Sequence, residues 1–143
     1  VTLPVDLLEE SFDLVASRGD DLTTAFYERV FAHAPQLQDL FATVPMGLQK
    51  LKFISTLVVL RMSLRDIAAV VPALEALGAR HAGYGVLPEH YPIVRAALLE
   101  ALEVVGGQRW TPAYTVAWSE LYALVAEAML RGSATQAGTG DSA

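Results

Sequence analysis

From Val5 to Met129 the apolar residues return every three or four positions, and each such run is opened or closed by proline or glycine. At about 3.6 residues per turn, that spacing lines one face of a helix. Leu8, Phe12 and Val15 share a face in a first helix over about Val5–Ser17, which Gly19 can end. Asp20 can cap a second helix carrying Leu22, Phe26 and Val30, with Tyr27 and Phe31 beside them. Pro35 forces a break and suits the first turn of a short helix ending near Phe41. Thr43 and Pro45 mark the start of a helix to about Arg65, with Leu51, Ile54, Leu57, Val58 and Met62 apolar. Another covers about Ala69–Ala82. Pro88 opens a long one closed by Gly106 and Gly107, and Thr111-Pro112 begins the last. No segment alternates with period two. The fold class predicted is all-α, six or seven helices whose mutual packing supplies the core.

A chain of 143 residues fits one domain and buries about two-thirds of its unfolded surface. That domain is expected over residues 1–132, and the small polar run "RGSATQAGTGDSA" predicts a disordered tail over 133–143. With no cysteine, disulfides, thiolate metal sites and cysteine nucleophiles are excluded. The net charge is −6 and the ten Lys and Arg residues are scattered, which argues against nucleic acid as a partner. The stretch "FISTLVVLRMSL" is broken by Arg61 and falls short of the ~20 apolar residues of a bilayer span. "VTLPVDLLEESF" carries acids where a signal peptide carries bases, so a cytoplasmic location is expected.

Two of the three histidines lie in "LGARHAGYGVLPEHY". Val70, Leu74 and Leu77 precede His81 by eleven, seven and four residues, so its imidazole ends an apolar stripe. Two readings stand. One is a partly buried histidine bonded to a nearby carbonyl. The other is a ligand. His33 and His90 lack the spacing to join it on one helix, so a zinc site built by the protein is short of donors. A cofactor that brings four in-plane ligands of its own, haem, needs only one imidazole.

As far as about Arg131 the chain resembles the bacterial single-domain haemoglobins and the globin domain of flavohaemoglobins. The resemblance rests on "FYERVFAHAPQLQDLF" and "ALGARHAGYGVLPEHYPIVRAALLEAL", with weaker support from "AWSELYALVAEAM". It implies a globin fold sandwiching one haem b, held without covalent attachment, with His81 as the proximal iron ligand. Phe41 matches the phenylalanine that packs on the haem, and it can equally be plain core. Tyr27 matches the tyrosine that points at the bound gas; its other reading is a core tyrosine. Family spacing back from His81 reaches Gln49, a distal position where glutamine is common in the bacterial group. No histidine stands there, which rules out a bis-histidine state through that position. Phe53, one turn on, overhangs the same site where the family often has leucine. Lys52 falls where globins often place a cation near a propionate, and a solvated surface lysine is the competing reading. Leu77, Val86, Tyr91 and Val94 complete the implied lining, Tyr91 matching a tyrosine early in the helix after the proximal histidine.

One family feature is missing. Flavohaemoglobins carry a glutamate late in the last helix that makes the proximal imidazole more electron-donating. Here that position falls near Ser133, and Glu127 is out of register by more than a turn. A carbonyl in the turn before His81 is expected to orient the ring instead. The sequence contains no flavin or nicotinamide domain, so turnover would need a separate reductase. The function implied is reversible binding of dioxygen and other diatomics such as NO and CO, in storage, delivery or sensing, by a monomer or homodimer. The alternative is a nitric oxide dioxygenase served by an outside reductase. A haem-free helical interaction domain is a third class, against which His81 and the distal set speak.

Overall fold

The computed structural model describes residues 3–142, with side chains as far as Ala134. It contains six α-helices: α1 (Val5–Val15), α2 (Gly19–His33), α3 (Met46–Met62), α4 (Val71–Gly83), α5 (Tyr91–Gly106) and α6 (Pro112–Ser142). Short 3₁₀ segments at Ala16–Arg18, Pro35–Phe41, Leu64–Val70, Pro88–His90 and Gly107–Arg109 join them, and there is no strand among the described residues. The all-α expectation therefore holds. Pro35, Pro88 and Pro112 each sit in the first turn of a helical segment, where a missing N–H costs nothing. The Thr111 hydroxyl accepts the Tyr114 N–H at 3.3 Å and caps α6.

The most extensive pairings are α4 with α6 and α2 with α5; α1 lies across α6 and α5, and α3 rests on α2 and α1. Leu8, Val15, Leu22, Phe26, Val30, Leu98, Leu102, Trp118 and Leu121 fill the core between them, all buried. The α4–α6 pair meets backbone to backbone. A Cβ built on Gly78 would overlap the Met129 carbonyl, and one built on Gly132 would overlap the Glu75 carbonyl. Only glycine lets two helices come this close.

Three local expectations need correction. Gly19 does not stop a helix; it begins α2 in ordinary helical conformation, and Asp20 makes no cap bond. The Ala16–Arg18 turn carries the chain through, and Arg18 fixes the junction with hydrogen bonds to the Val105 carbonyl and Asp21, both 3.0 Å. The helix from Pro45 ends at Met62, short of Arg65, because the chain turns into 3₁₀ and leaves helical geometry at Asp66. On α3, Leu57 is buried and Ile54 half-buried, but Leu51 is 62% and Met62 80% exposed. The backbone of α6 is described as far as Ser142, and the side chains of the expected polar tail from residue 135 lie outside the described residues.

Ser11 is a buried polar residue that the periodicity passes over. Its hydroxyl accepts the Trp118 indole N–H at 2.7 Å and donates to the Leu7 carbonyl at 2.7 Å. Ser11→Ala leaves the indole N–H buried without an acceptor, a loss of about 1–3 kcal/mol. Urea unfolding should show a lower midpoint at unchanged slope; an unchanged midpoint would mean that water replaces the serine.

Candidate functional site

On α2, the step from Phe26 to Tyr27 turns two aromatic side chains inward at adjacent positions. Tyr27 is 5% exposed. Gln49, on the first turn of α3, donates from Nε2 to the Tyr27 hydroxyl oxygen at 3.2 Å. Accepting that bond leaves the phenolic proton free to be donated, and a chain of two such bonds strengthens the outer donor. Burial raises the Tyr27 pKa, with the Gln49 bond pulling in the opposite direction, so the phenol stays protonated at neutral pH.

Phenylalanines enclose this pair. Phe41, at the end of the Pro35–Phe41 turn, meets Tyr27 edge-on with centroids 5.7 Å apart. Phe53 meets it edge-on at 6.0 Å and stacks on Phe26 at 4.2 Å. Phe31 supports Phe41 from behind at 5.6 Å. Tyr27, Phe41, Gln49 and Phe53 thus come together as the sequence leads one to expect. Phe26 and Phe31, read there only as helix-stripe residues, are the buttress. Their signal is a place on either side of Tyr27 on one inward face, visible once the turn of α2 is known. Lys52, next to Phe53 in sequence, is exposed. Its neighbour Lys50 donates to the Thr24 hydroxyl at 3.3 Å, a second tie from α3 to α2.

The second cluster lies at the end of α4. His81 Nδ1 is 2.8 Å from the Leu77 carbonyl. A carbonyl only accepts, so Nδ1 carries the hydrogen and Nε2 presents its lone pair. Burial lowers the His81 pKa, only partly offset by the Leu77 bond, so the ring is neutral at pH 7 and able to ligate. After His81 the chain turns through Gly85 at φ +98°, and Val86 N–H returns to the His81 carbonyl at 3.0 Å. Leu77, Val86 and Val94 are half-buried apolar side chains packed against the core. The other two histidines have structural partners: His33 Nε2 lies 3.0 Å from Glu100, and His90 Nδ1 accepts the Leu87 N–H.

Tyr91 is buried at the start of α5, and its backbone carbonyl accepts the Tyr122 hydroxyl at 2.7 Å. Tyr122 was not legible as a site neighbour, because nothing in the spacing ties α6 to that residue. No hydrogen bond joins Tyr91 to His81 among the described residues. Glu127 stays at the surface beside Arg131, and the position near Ser133 lies at the Gly132–Glu75 crossing, where the helices touch. No carboxylate reaches the imidazole there.

Among the described residues no hydrogen bond or aromatic contact bridges the Tyr27 cluster to His81. Nor does α3 pack substantially on α4 or α5. The chain therefore presents two separate chemistries: an imidazole at the end of α4 whose Nε2 presents its lone pair, and a phenol–amide pair among phenylalanines. That donor set fits a flat apolar macrocycle whose metal needs one neutral nitrogen from the protein. No group of His, Asp and Glu among the described residues could hold a metal ion by itself.

Comparison with known proteins agrees. The family model described as Globin matches residues 24–129. The flavohemoprotein of Rhodopirellula baltica is 32% identical over 86% of this chain, and that of Bacillus subtilis 26% identical over 88%. The chain spans about a third of the length of these curated relatives, 31% and 32% respectively. Two solved structures share the fold. An engineered carbene transferase from Rhodothermus marinus superposes with a TM-score of 0.81 at 24% identity, covering 96% of this chain and 93% of that one. A bacterial globin from Campylobacter jejuni gives 0.80 at 22% identity, covering 92% and 94%. With the helix order, the inward tyrosine and the histidine closing α4 already in place, this chain belongs to the globin family.

Proposed function

We propose that the protein holds haem b between the His81 cluster and the Tyr27 cluster and binds dioxygen and other diatomic gases, NO and CO among them, reversibly. Haem supplies a ferrous centre to which a diatomic ligand adds. His81 offers Nε2 to it, oriented by Leu77. Leu77, Val86, Tyr91 and Val94 line its proximal side, and Phe41 and Phe53 exclude water from the distal side. Lys52 is assigned to a propionate. The observation that carries the reading is the buried Tyr27 hydroxyl, which accepts from Gln49 and so keeps its own proton for a ligand. A diatomic carrying partial negative charge gains about 1 kcal/mol from one such bond, and more where charge assists.

Tyr27→Phe should therefore raise the dioxygen dissociation rate about tenfold or more, at ~1.4 kcal/mol per decade. Gln49→Leu should raise it less, since it acts mainly through the phenol. Stopped-flow displacement by CO measures both. Wild-type rates in both single mutants and in the double mutant would remove these residues from the ligand site.

Phe53 gives a second expectation. Its ring stacks on Phe26 at 4.2 Å and meets Tyr27 edge-on, which supports its reading as a wall of the distal space. Phe53→Leu should speed CO association and admit alkyl isocyanides. Unchanged association rates with reduced stability would make Phe53 packing alone.

The alternative, oxidation of nitric oxide by bound dioxygen, calls for an electron supply. The curated relatives are flavohemoproteins roughly three times as long, which keeps a separate reductase in play as a partner. The partner of His81 supports reversible binding: the ring is bonded to the neutral Leu77 carbonyl, and no carboxylate among the described residues pairs with it. No described helix is long and apolar enough to cross a membrane.

A further inference from the structure

The outer side of α3 is apolar and uncovered. Leu48, Leu51, Val58, Val59 and Met62 are all exposed, with Ser55 among them. At ~100° per residue these six positions fall within one arc of about 100°, opposite Gln49, Phe53 and Leu57, and the arc contains no charge. The flanking Arg61 is occupied within its own chain, paired with Glu9 at 3.2 Å and Asp13 at 3.1 Å. Lys52 lies at the edge, where its stem can lie flat and its ammonium reach water.

Four of the five apolar residues are paired about Ser55, while Val58 has Lys52 as its counterpart three residues to the other side. Leu51 and Val59 stand four residues to either side, Leu48 and Met62 seven. Two copies of α3 packed antiparallel around a two-fold axis at Ser55 would set Leu51 against Val59 of the second copy and Leu48 against its Met62. The small serines would meet at the centre, where close approach is needed. Such self-complementarity is what an isologous interface requires. A charge-free stripe also places no like charges opposite one another. The two Lys52 side chains would be separated by six residues of helix rise, ~9 Å along the axis. An anionic lipid surface fits less well, because the chain carries a net charge of −6 and the stripe has no aromatic anchor.

We infer that the outer face of α3 is a self-association surface, pairing two copies of this chain antiparallel about Ser55. The five apolar side chains expose on the order of 400 Å², the size of patch that marks an interaction site. Two such patches bury roughly 800 Å² in all, below the ~1,200 Å² of standard stable interfaces, so the dimer is weak and concentration-dependent.

Sedimentation equilibrium of the haem-loaded full chain in 0.5 M salt tests this. The weight-average mass should rise from monomer toward dimer between about 10 µM and 1 mM, a range set by the modest interface. Leu51→Glu and Val59→Lys should each remain monomeric throughout. An equimolar mixture of the two should associate again, since each dimer then joins Glu to Lys on one side and keeps Leu against Val on the other. The Soret band and circular dichroism should match wild type, the stripe lying away from Gln49 and Phe53. Ser55→Cys is independent of those variants: in a chain without cysteine, mild oxidation should trap a disulfide dimer. A wild type that stays monomeric at 1 mM, association indifferent to Leu51→Glu, no disulfide from Ser55→Cys, or flotation with phosphatidylcholine vesicles in place of self-association would each overturn the inference.

Discussion

His81→Ala should strip the protein of most of its haem. No other histidine can substitute, since His33 is engaged by Glu100 on the α2–α5 surface and His90 closes the turn from Leu87. Nor can the chain supply a thiolate. Removing a group that merely orients a metal ligand costs about 10–100-fold in affinity, so removing the ligand should cost at least 100-fold. Added imidazole should restore part of the bound haem by occupying the space left by the ring. Haem content after gel filtration, with and without imidazole, measures this. Full retention with an unchanged iron–imidazole vibration would take the proximal role away from His81.

Gly78→Ala should be among the most destabilising single methyls that can be added to this chain. At an exposed helical position the same change gains up to about 1 kcal/mol, from helix propensity. At Gly78 the methyl would overlap the Met129 carbonyl, and a backbone atom cannot rotate out of the way. The helices must part along their length, so we expect a loss of about 3 kcal/mol or more, at the top of the range for overpacked cores. Gly47→Ala is the matched control: nothing lies within 4 Å of its added Cβ, and it should be neutral or stabilising. Gly132→Ala should resemble Gly78→Ala. The double mutant should lose less than the sum, since one separation of α4 from α6 accommodates both methyls. Additive losses, or a Gly78→Ala protein as stable as wild type, would show that the crossing is looser than described.

Much of this architecture was written in local chemistry. The prolines at 35, 88 and 112 and the three-to-four spacing of Leu22, Phe26 and Val30 are short-range signals that survive tertiary packing. So did the orienting carbonyl of Leu77, because an i to i−4 contact is implied once His81 is on a helix. What could not be read depends on residues far apart in the chain. The Ser11–Trp118 bond spans 107 positions, and the Tyr122 hydroxyl finds a carbonyl on another helix. The exposure of Leu51 and Met62 was equally hidden, since periodicity marks an apolar face but not whether anything covers it. Gly19 misled for a related reason: glycine permits a stop without enforcing one, and here it opens α2 after the break at Arg18.

The two clusters are held by different means. Behind His81, α4 lies on α6 with bare backbone in contact, a geometry fixed by Gly78 and Gly132. Opposite, α3 rests on α2 and α1 through side chains that can be exchanged for others of similar volume. Variation is therefore cheap on one side and nearly forbidden on the other. A library randomised at the α3 positions that meet Tyr27 should return many folded proteins with different gas preferences, whereas the same library on the inner face of α4 should return few.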